Sequence, residues 1–191
     1  MGLPGVHVVG ASLGGMVGQT MAIEYGDRIR SSTSMMSSTG ARDVGQADFA
    51  ALGGLGPAPE DRQGHIDWTI RASRVLGSPG FVFDEAAVAE RAGRAYDRGH
   101  DRSAMLRQAV ATVASGDRTA RLGSVRVPIL VIHGTADIMC DVSGGRATAA
   151  AVPGAELVVI DGMGHNFPRE LWPRFGALIA NLVQHVERNP S

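Results

Sequence analysis

Two rhythms of apolar positions run through this chain. The β-branched stretch Val6-His7-Val8-Val9 stops at Gly10 and gives way at once to helical spacing. The pattern predicts a strand over residues 6–10 that turns sharply into a helix over about Leu13–Tyr25. On that helix Leu13, Met16, Val17, Thr20 and Met21 share a face expected to be buried, and Gly14, Gly15 and Gly18 allow close approach to a sheet. Residues 1–5 read as a turn into the strand. A second strand is expected over about Arg30–Met36, with a Ser/Thr content unusual for a core strand.

From Gly40 to about Gly116 no strand rhythm occurs. Residues 53–59, Gly-Gly-Leu-Gly-Pro-Ala-Pro, break regular structure, and three helices follow at about Pro59–Leu76, Asp84–Asp97 and Asp101–Ser115. Asp84 and Asp101 are the expected N-caps, Gly116 sits just past the last end, and Met105, Ala109, Thr112 and Val113 share a face of the third. The segment therefore reads as a helical insertion between two strands. Strand rhythm returns at Pro128–Gly134, a continuous apolar run suited to a parallel strand covered on both faces. A helix over about Ser143–Ala151, a strand over Ala155–Ile160 and a loop through His165 come next. The closing helix, about Glu170–Val186, carries Leu171, Trp172, Phe175, Leu178, Ile179, Leu182, Val183 and Val186 at helical spacing, with Pro173 tolerable in its first turn.

Composition changes this picture by exclusion. A chain of 191 residues with 44% hydrophobic and 19% charged content fits one soluble domain with an insertion, and a net charge of −1 offers no field for nucleic acid or an anionic membrane. All 18 basic residues are arginine. Without lysine there is no Schiff base, no P-loop lysine and no Tyr-x-x-x-Lys dehydrogenase pair. Cys140 stands alone, so an internal disulfide is excluded; with neither an apolar span nor a leader, a cytoplasmic protein is expected. No Cys/His cluster or His-Glu-x-x-His spacing suggests a metal, and no cofactor is expected.

The chemistry gathers at three strand ends. Gly10-Ala11-Ser12-Leu13-Gly14 between strand and helix is a nucleophile elbow, in which a strained serine projects its hydroxyl and Gly10 and Gly14 remove side chains that would collide. The Leu13 N–H, at the helix start, is a candidate oxyanion donor. Asp137 follows the third strand and His165 the fourth, so the chain order is Ser, Asp, His. A neutral imidazole held by a carboxylate would make Ser12 a nucleophile. Among the rivals, His7 and His133 read as structural strand residues, and His65, His100 and His185 as helical or loop surface. Asp141 is a rival acid, Asp161 is better suited to shaping a turn, and Cys140 to filling a loop. Met36, Met139 and Met163 follow strand ends near the site, where flexible thioethers would suit a bulky apolar substrate.

Taken together, Val9–Met16, Ile132-His-Gly-Thr-Ala-Asp137 and Gly162-Met-Gly-His165 resemble the α/β-hydrolase fold family, within it the esterase branch that includes aclacinomycin methylesterase-like proteins. The resemblance spans nearly the whole chain. It implies Ser12 as nucleophile, Asp137 as acid and His165 as base of a serine hydrolase acting on a small carboxylic ester through an acyl-enzyme. The implied fold is the C-terminal half of an α/β-hydrolase sheet, about four parallel strands with helices. Residues 1–39 and 117–191 would form the partial core, and residues 40–116 an inserted helical cap over the substrate.

The sequence departs from the family at its front. Members carry several strands before the elbow, with a loop that supplies the second oxyanion N–H, whereas here the elbow strand begins after five residues. An N-terminally shortened chain is the expectation, with a barrier raised by roughly 3–4 kcal/mol for the missing donor. Its elbow strand would become a sheet edge, so a homo-oligomer or pairing with another chain through that edge is expected. A non-catalytic ligand- or partner-binding remnant of the same fold is the alternative. A nucleotide-binding fold is disfavoured because no Gly-x-Gly-x-x-G opens the helix.

Overall fold

The computed structural model describes residues 5–99 and 101–189, without the side chains of Arg102 and Met105. The expected turn at residues 1–4, His100, and the place of Met105 on its helix lie outside the described residues. Four parallel strands form one sheet in the order β1 (Val6–Ala11), β2 (Ile29–Met35), β3 (Ile129–Gly134), β4 (Glu156–Ile160). Helices α1 (Leu13–Glu24) and α7 (Ser143–Ala151) connect strands, and α8 (Trp172–Arg188) closes the chain.

Strand β3 shows why the sheet is covered on both faces. Successive side chains point to opposite sides, so Leu130 and Ile132 join Met35, Ile160, Met163 and Phe175 in one core. Ile129 and Val131 join Ala22, Leu122 and Val152 in another. Helix α8 packs over the first and helices α1 and α7 over the second.

The buried face of α1 is not the apolar one expected. Gly15, Gly18, Gln19 and Ala22 are buried, while Val17 is 51% exposed. The serines of β2 supply the reason. A Cβ on Gly15 would lie 2.6 Å from Ser37 Cβ and 2.9 Å from Ser34 Oγ, and one on Gly18 would lie 3.2 Å from Ser32 Oγ. Small residues on helix and strand let the two backbones approach, which is why β2 is fully buried at Ser31, Ser32, Thr33 and Ser34 despite its polar composition.

Between β2 and β3 the chain forms α2 (Phe49–Gly53), α3 (Arg62–Val75), α4 (Glu85–Asp97), α5 (Arg102–Ser115) and α6 (Thr119–Leu122), with no strand among the described residues of 40–116. Helix α2 enters the stretch expected to be irregular, capped by the Asp48 carboxylate on Ala50 N and Ala51 N. Asp84 and Asp101 cap α4 and α5 as expected, accepting from Ala87 N and Ser103 N, and Gly116 ends α5 at φ +67°. Helices α3 and α4 pack together. The expected face of α5 is not buried: Ala109 is exposed and Val113 is 82% exposed, with Leu106 and Val110 also open.

Arg118 closes the neck of this segment. Its buried guanidinium donates to Ser38 O where the chain leaves the sheet, to Ser115 Oγ and Gly116 O where it returns, and to Gln19 Oε1 of α1. No described helix is long and apolar enough to cross a membrane.

Candidate active site

Ser12 lies where β1 turns into α1, at φ +52° and ψ −120°, a conformation costly for any residue with a side chain. Two contacts with the neighbouring strand hold it there: Ser12 N donates to Met35 O at 2.9 Å, and Ser37 Oγ donates to Ser12 O at 2.8 Å. A Cβ on Gly10 would fall 2.1 Å from Gly14 O, so the collision expected at Gly10 is real. At Gly14 it is not, because a Cβ there meets nothing within 4 Å; Gly15 is the constrained glycine of the helix. The Leu13 N–H is the first of α1 and has no intrahelical acceptor.

Asp137 follows β3 and is 4% exposed. Its Oδ1 accepts from Met139 N and Cys140 N, each at 2.9 Å, which turns Oδ2 toward His165 Nδ1 at 2.7 Å. His165 Nε2 in turn lies 3.0 Å from Ser12 Oγ. Asp137 and His165 together define the tautomer: a carboxylate only accepts, so Nδ1 carries hydrogen and Nε2 is free to accept from the serine hydroxyl. Burial alone would raise the Asp137 carboxyl, but the His133 ring nearby, the hydrogen bond and charge of His165 and the Cys140 N–H outweigh it and bring it down from 3.8 to about 2.

The loop bearing His165 is tied to the segment between α3 and α4. His165 N donates to Leu76 O at 2.8 Å, Gly164 N to Ser78 Oγ at 2.8 Å, and Gly80 N to Gly162 O at 3.1 Å. A Cβ on Gly164 would sit 1.9 Å from Gly77 O, so only glycine lets the two loops of this tether close. Sequence reading missed Leu76, Ser78 and Ser37, none of which belongs to a motif; the tether's glycines, Gly77 and Gly80, were the available signal.

The remaining candidates fall as follows. Met36 and Met163, expected to line a substrate surface, are instead in the core at 2% and 0% exposure and offer a ligand no surface; Met139 is 36% exposed. Both buried methionines belong to the core cluster that contains Leu130, Ile132 and Ile160. Asp161 accepts from Thr135 Oγ1 at 2.9 Å in a turn, and Asp141 accepts from Ser143 N at the start of α7 and from Gln46 N. Burial, then the charges of Asp137 and Asp141, push the Cys140 thiol up to about 12, unsuited to a thiolate nucleophile. His7 bridges Ser31 Oγ and Glu187, and the His65 ring lies tilted against Tyr96 with centroids 5.5 Å apart. Among the described residues no group of three or more His, Cys, Asp or Glu side chains could hold a metal ion. A cavity of about 380 Å³ opens beside His165, lined by Leu76, Phe83, Arg91, Phe167 and Trp172 among others.

Residues 1–168 match the family model described as alpha/beta hydrolase fold. The chain is 28% identical over 185 residues to rhodomycin D methylesterase DnrP of Streptomyces peucetius, a match covering 85% of this chain and 61% of that protein. It is 27% identical over 185 residues to rhodomycin D methylesterase DauP of Streptomyces sp. (strain C5), with the same coverage of each. Among solved structures it is similar to the meta-cleavage product hydrolase CumD from Pseudomonas fluorescens IP01, with a TM-score of 0.73 at 19% identity over 95% of this chain and 65% of that one. The chain thus spans about three fifths of the length of the curated relatives it matches.

Proposed function

Because the chain belongs to the α/β-hydrolase fold family, we propose that it is a serine hydrolase that cleaves a carboxylic ester of a small molecule, with Ser12 as nucleophile, His165 as base and Asp137 as the acid behind it. The observation that carries this reading is the unbroken hydrogen-bonded line from Asp137 Oδ2 to His165 Nδ1 at 2.7 Å and from His165 Nε2 to Ser12 Oγ at 3.0 Å.

In the first step Ser12 Oγ attacks the ester carbonyl carbon while its proton passes to His165 Nε2. The oxyanion that forms is met by the Leu13 N–H, which needs no reorganisation to receive it. Collapse breaks the ester C–O bond, and the departing alcohol takes the proton from His165. A water then gives its proton to the same nitrogen, adds to the acyl carbon, and releases the carboxylic acid as Ser12 recovers its hydrogen. Asp137 stays ionised throughout and stabilises the imidazolium.

Residues 40–116 form the cap in this reading, with the cavity beside His165 between it and the core. Its lining is mixed, with Leu76, Phe83, Phe167 and Trp172 offering apolar and aromatic surface to the ester and Arg91, Arg94 and Arg169 offering cationic groups, and the likeness to proteins named rhodomycin D methylesterase agrees with an ester substrate. The test is covalent labelling of the 191-residue chain by a fluorophosphonate probe. Labelling at Ser12 that disappears in Ser12→Ala is the expected result. A folded sample that does not label would overturn the reading and favour a non-catalytic binding protein of the same fold.

A further inference from the structure

One buried titratable group at the site has no part in the proton path just described. His133, the penultimate residue of β3, is 0% exposed. Its Nε2 lies 2.7 Å from Cys140 O and 3.6 Å from Asp137 Oδ2, and its Nδ1 has no hydrogen-bond partner. A carbonyl can only accept, so Nε2 carries the hydrogen, and that hydrogen points into the space shared by the Cys140 carbonyl and the Asp137 carboxylate.

The surrounding helix is shaped to admit this ring. A Cβ on Gly145 of α7 would lie 2.5 Å from His133 Nδ1 and 2.8 Å from its Cγ, and one on Gly144 would lie 3.1 Å from Cys140 Sγ. Gly145, which costs helix stability, is what lets the imidazole occupy the space beneath the Asp137 loop, and Gly144 gives room to the loop itself at Cys140. The charged and titratable groups facing the ring are Asp137, Asp141 and Cys140, all on that one loop.

We propose that His133 is a positioning residue for Asp137: its Nε2–H, donated to the Cys140 carbonyl at 2.7 Å with Asp137 Oδ2 at 3.6 Å, fixes the loop that presents the carboxylate to His165. Two backbone N–H groups of that loop take Oδ1 and His165 takes Oδ2, so a loop held from beneath by His133 keeps the carboxylate from rotating away when the His165–Ser12 pair exchanges a proton. This inference rests on the serine-hydrolase reading for its catalytic consequence, and on geometry alone for the interaction itself.

Two substitutions separate positioning from packing. His133→Gln places an amide N–H near the site of Nε2, whereas His133→Leu fills similar volume without a donor. The rate of Ser12 labelling by a fluorophosphonate, followed against pH, is expected to fall about fivefold in His133→Leu at neutral pH, the size set by losing a neutral hydrogen bond that holds the Asp137 loop. The acid limb of the profile is expected to move to higher pH, because a less stabilised carboxylate holds the His165 imidazolium more tightly. His133→Gln is expected to restore most of the rate and the limb. A leucine variant with the wild-type rate and limb would overturn the proposal. So would leucine and glutamine variants equally slow with an unmoved limb, which is the signature of packing alone.

If the wild-type chain does not label, the hydrolase reading falls, and the interaction is judged by NMR of the imidazole nitrogens. His133 is then expected as the Nε2–H tautomer with a slowly exchanging proton whose resonance moves in Asp137→Asn. An Nδ1–H tautomer, or a resonance indifferent to that substitution, would overturn it.

Discussion

At the scale of single residues, Asp137 connects function to stability. Its carboxyl is lowered from 3.8 to about 2 in the folded chain, so the folded state binds its proton less readily than the unfolded state does. The stabilisation is therefore fully present above the unfolded value and is lost as the pH falls through about 2. A shift of this size corresponds to about 2 kcal/mol. Urea unfolding between pH 6 and pH 2 is expected to show wild-type stability falling by about that much more than the stability of Asp137→Asn. Parallel curves for the two proteins would mean that the hydrogen bonds to Asp137 do not hold its charge. The nomination of this residue rests on its place after an apolar strand, a local signal, whereas its donors are not local to any motif. Met139 and Cys140 contribute only backbone, and His133 is distinguished from an ordinary core histidine only by where its ring nitrogen ends.

At the scale of elements, strand and helix rhythms located the sheet and its connections because each burial period is local. The four strands and the long helices begin and end within a few residues of where apolar spacing and capping aspartates put them. Two other kinds of information are not local. The face that α1 buries depends on what lies across from it, and the small residues of β2 select Gly15 and Gly18 over Met16 and Val17. The tether that steadies His165 joins positions more than eighty residues apart, Ser78 to Gly164 and Asn166. The elbow gives a test at this scale that separates motif from mechanics. Gly10→Ala drives a Cβ to within 2.1 Å of Gly14 O, which is expected to cost roughly 3 kcal/mol as forced overpacking. Gly14→Ala, whose Cβ meets nothing within 4 Å, is expected to gain roughly 0.5–1 kcal/mol by stiffening the helix in the unfolded ensemble. Denaturation midpoints of the two variants decide the matter. A Gly14→Ala chain as unstable as Gly10→Ala would show that this glycine is constrained by something beyond its described neighbours.

For the whole molecule, the question is what the outer side of β1 does. The sheet order places β1 and β4 at the two edges, and they are not equivalent. Strand β4 has five residues and begins with the exposed Glu156, a charge that discourages further pairing. Strand β1 has six, pairs with β2 on one side, and carries Val6 at 36% and Val9 at 52% exposure, with Val17 of α1 at 51% nearby. Among the described residues no strand pairs with the outer side of β1, and an open edge beside exposed β-branched side chains is a template for another strand. The 191-residue chain is therefore expected to associate with a second copy of itself through β1, seen as concentration-dependent mass in size exclusion with light scattering. Val9→Lys places a charge on that edge, and is expected to return the protein to a monomer without slowing Ser12 labelling, since Val9 is 52% exposed and belongs neither to the Asp137–His165–Ser12 line nor to the contacts that hold Ser12. A wild-type chain that stays monomeric at its highest soluble concentration would show that the valines and the β1 backbone are tolerated by water alone. Association that Val9→Lys leaves unchanged would instead move the contact elsewhere, to a surface such as the open Leu106, Val110 and Val113 face of α5.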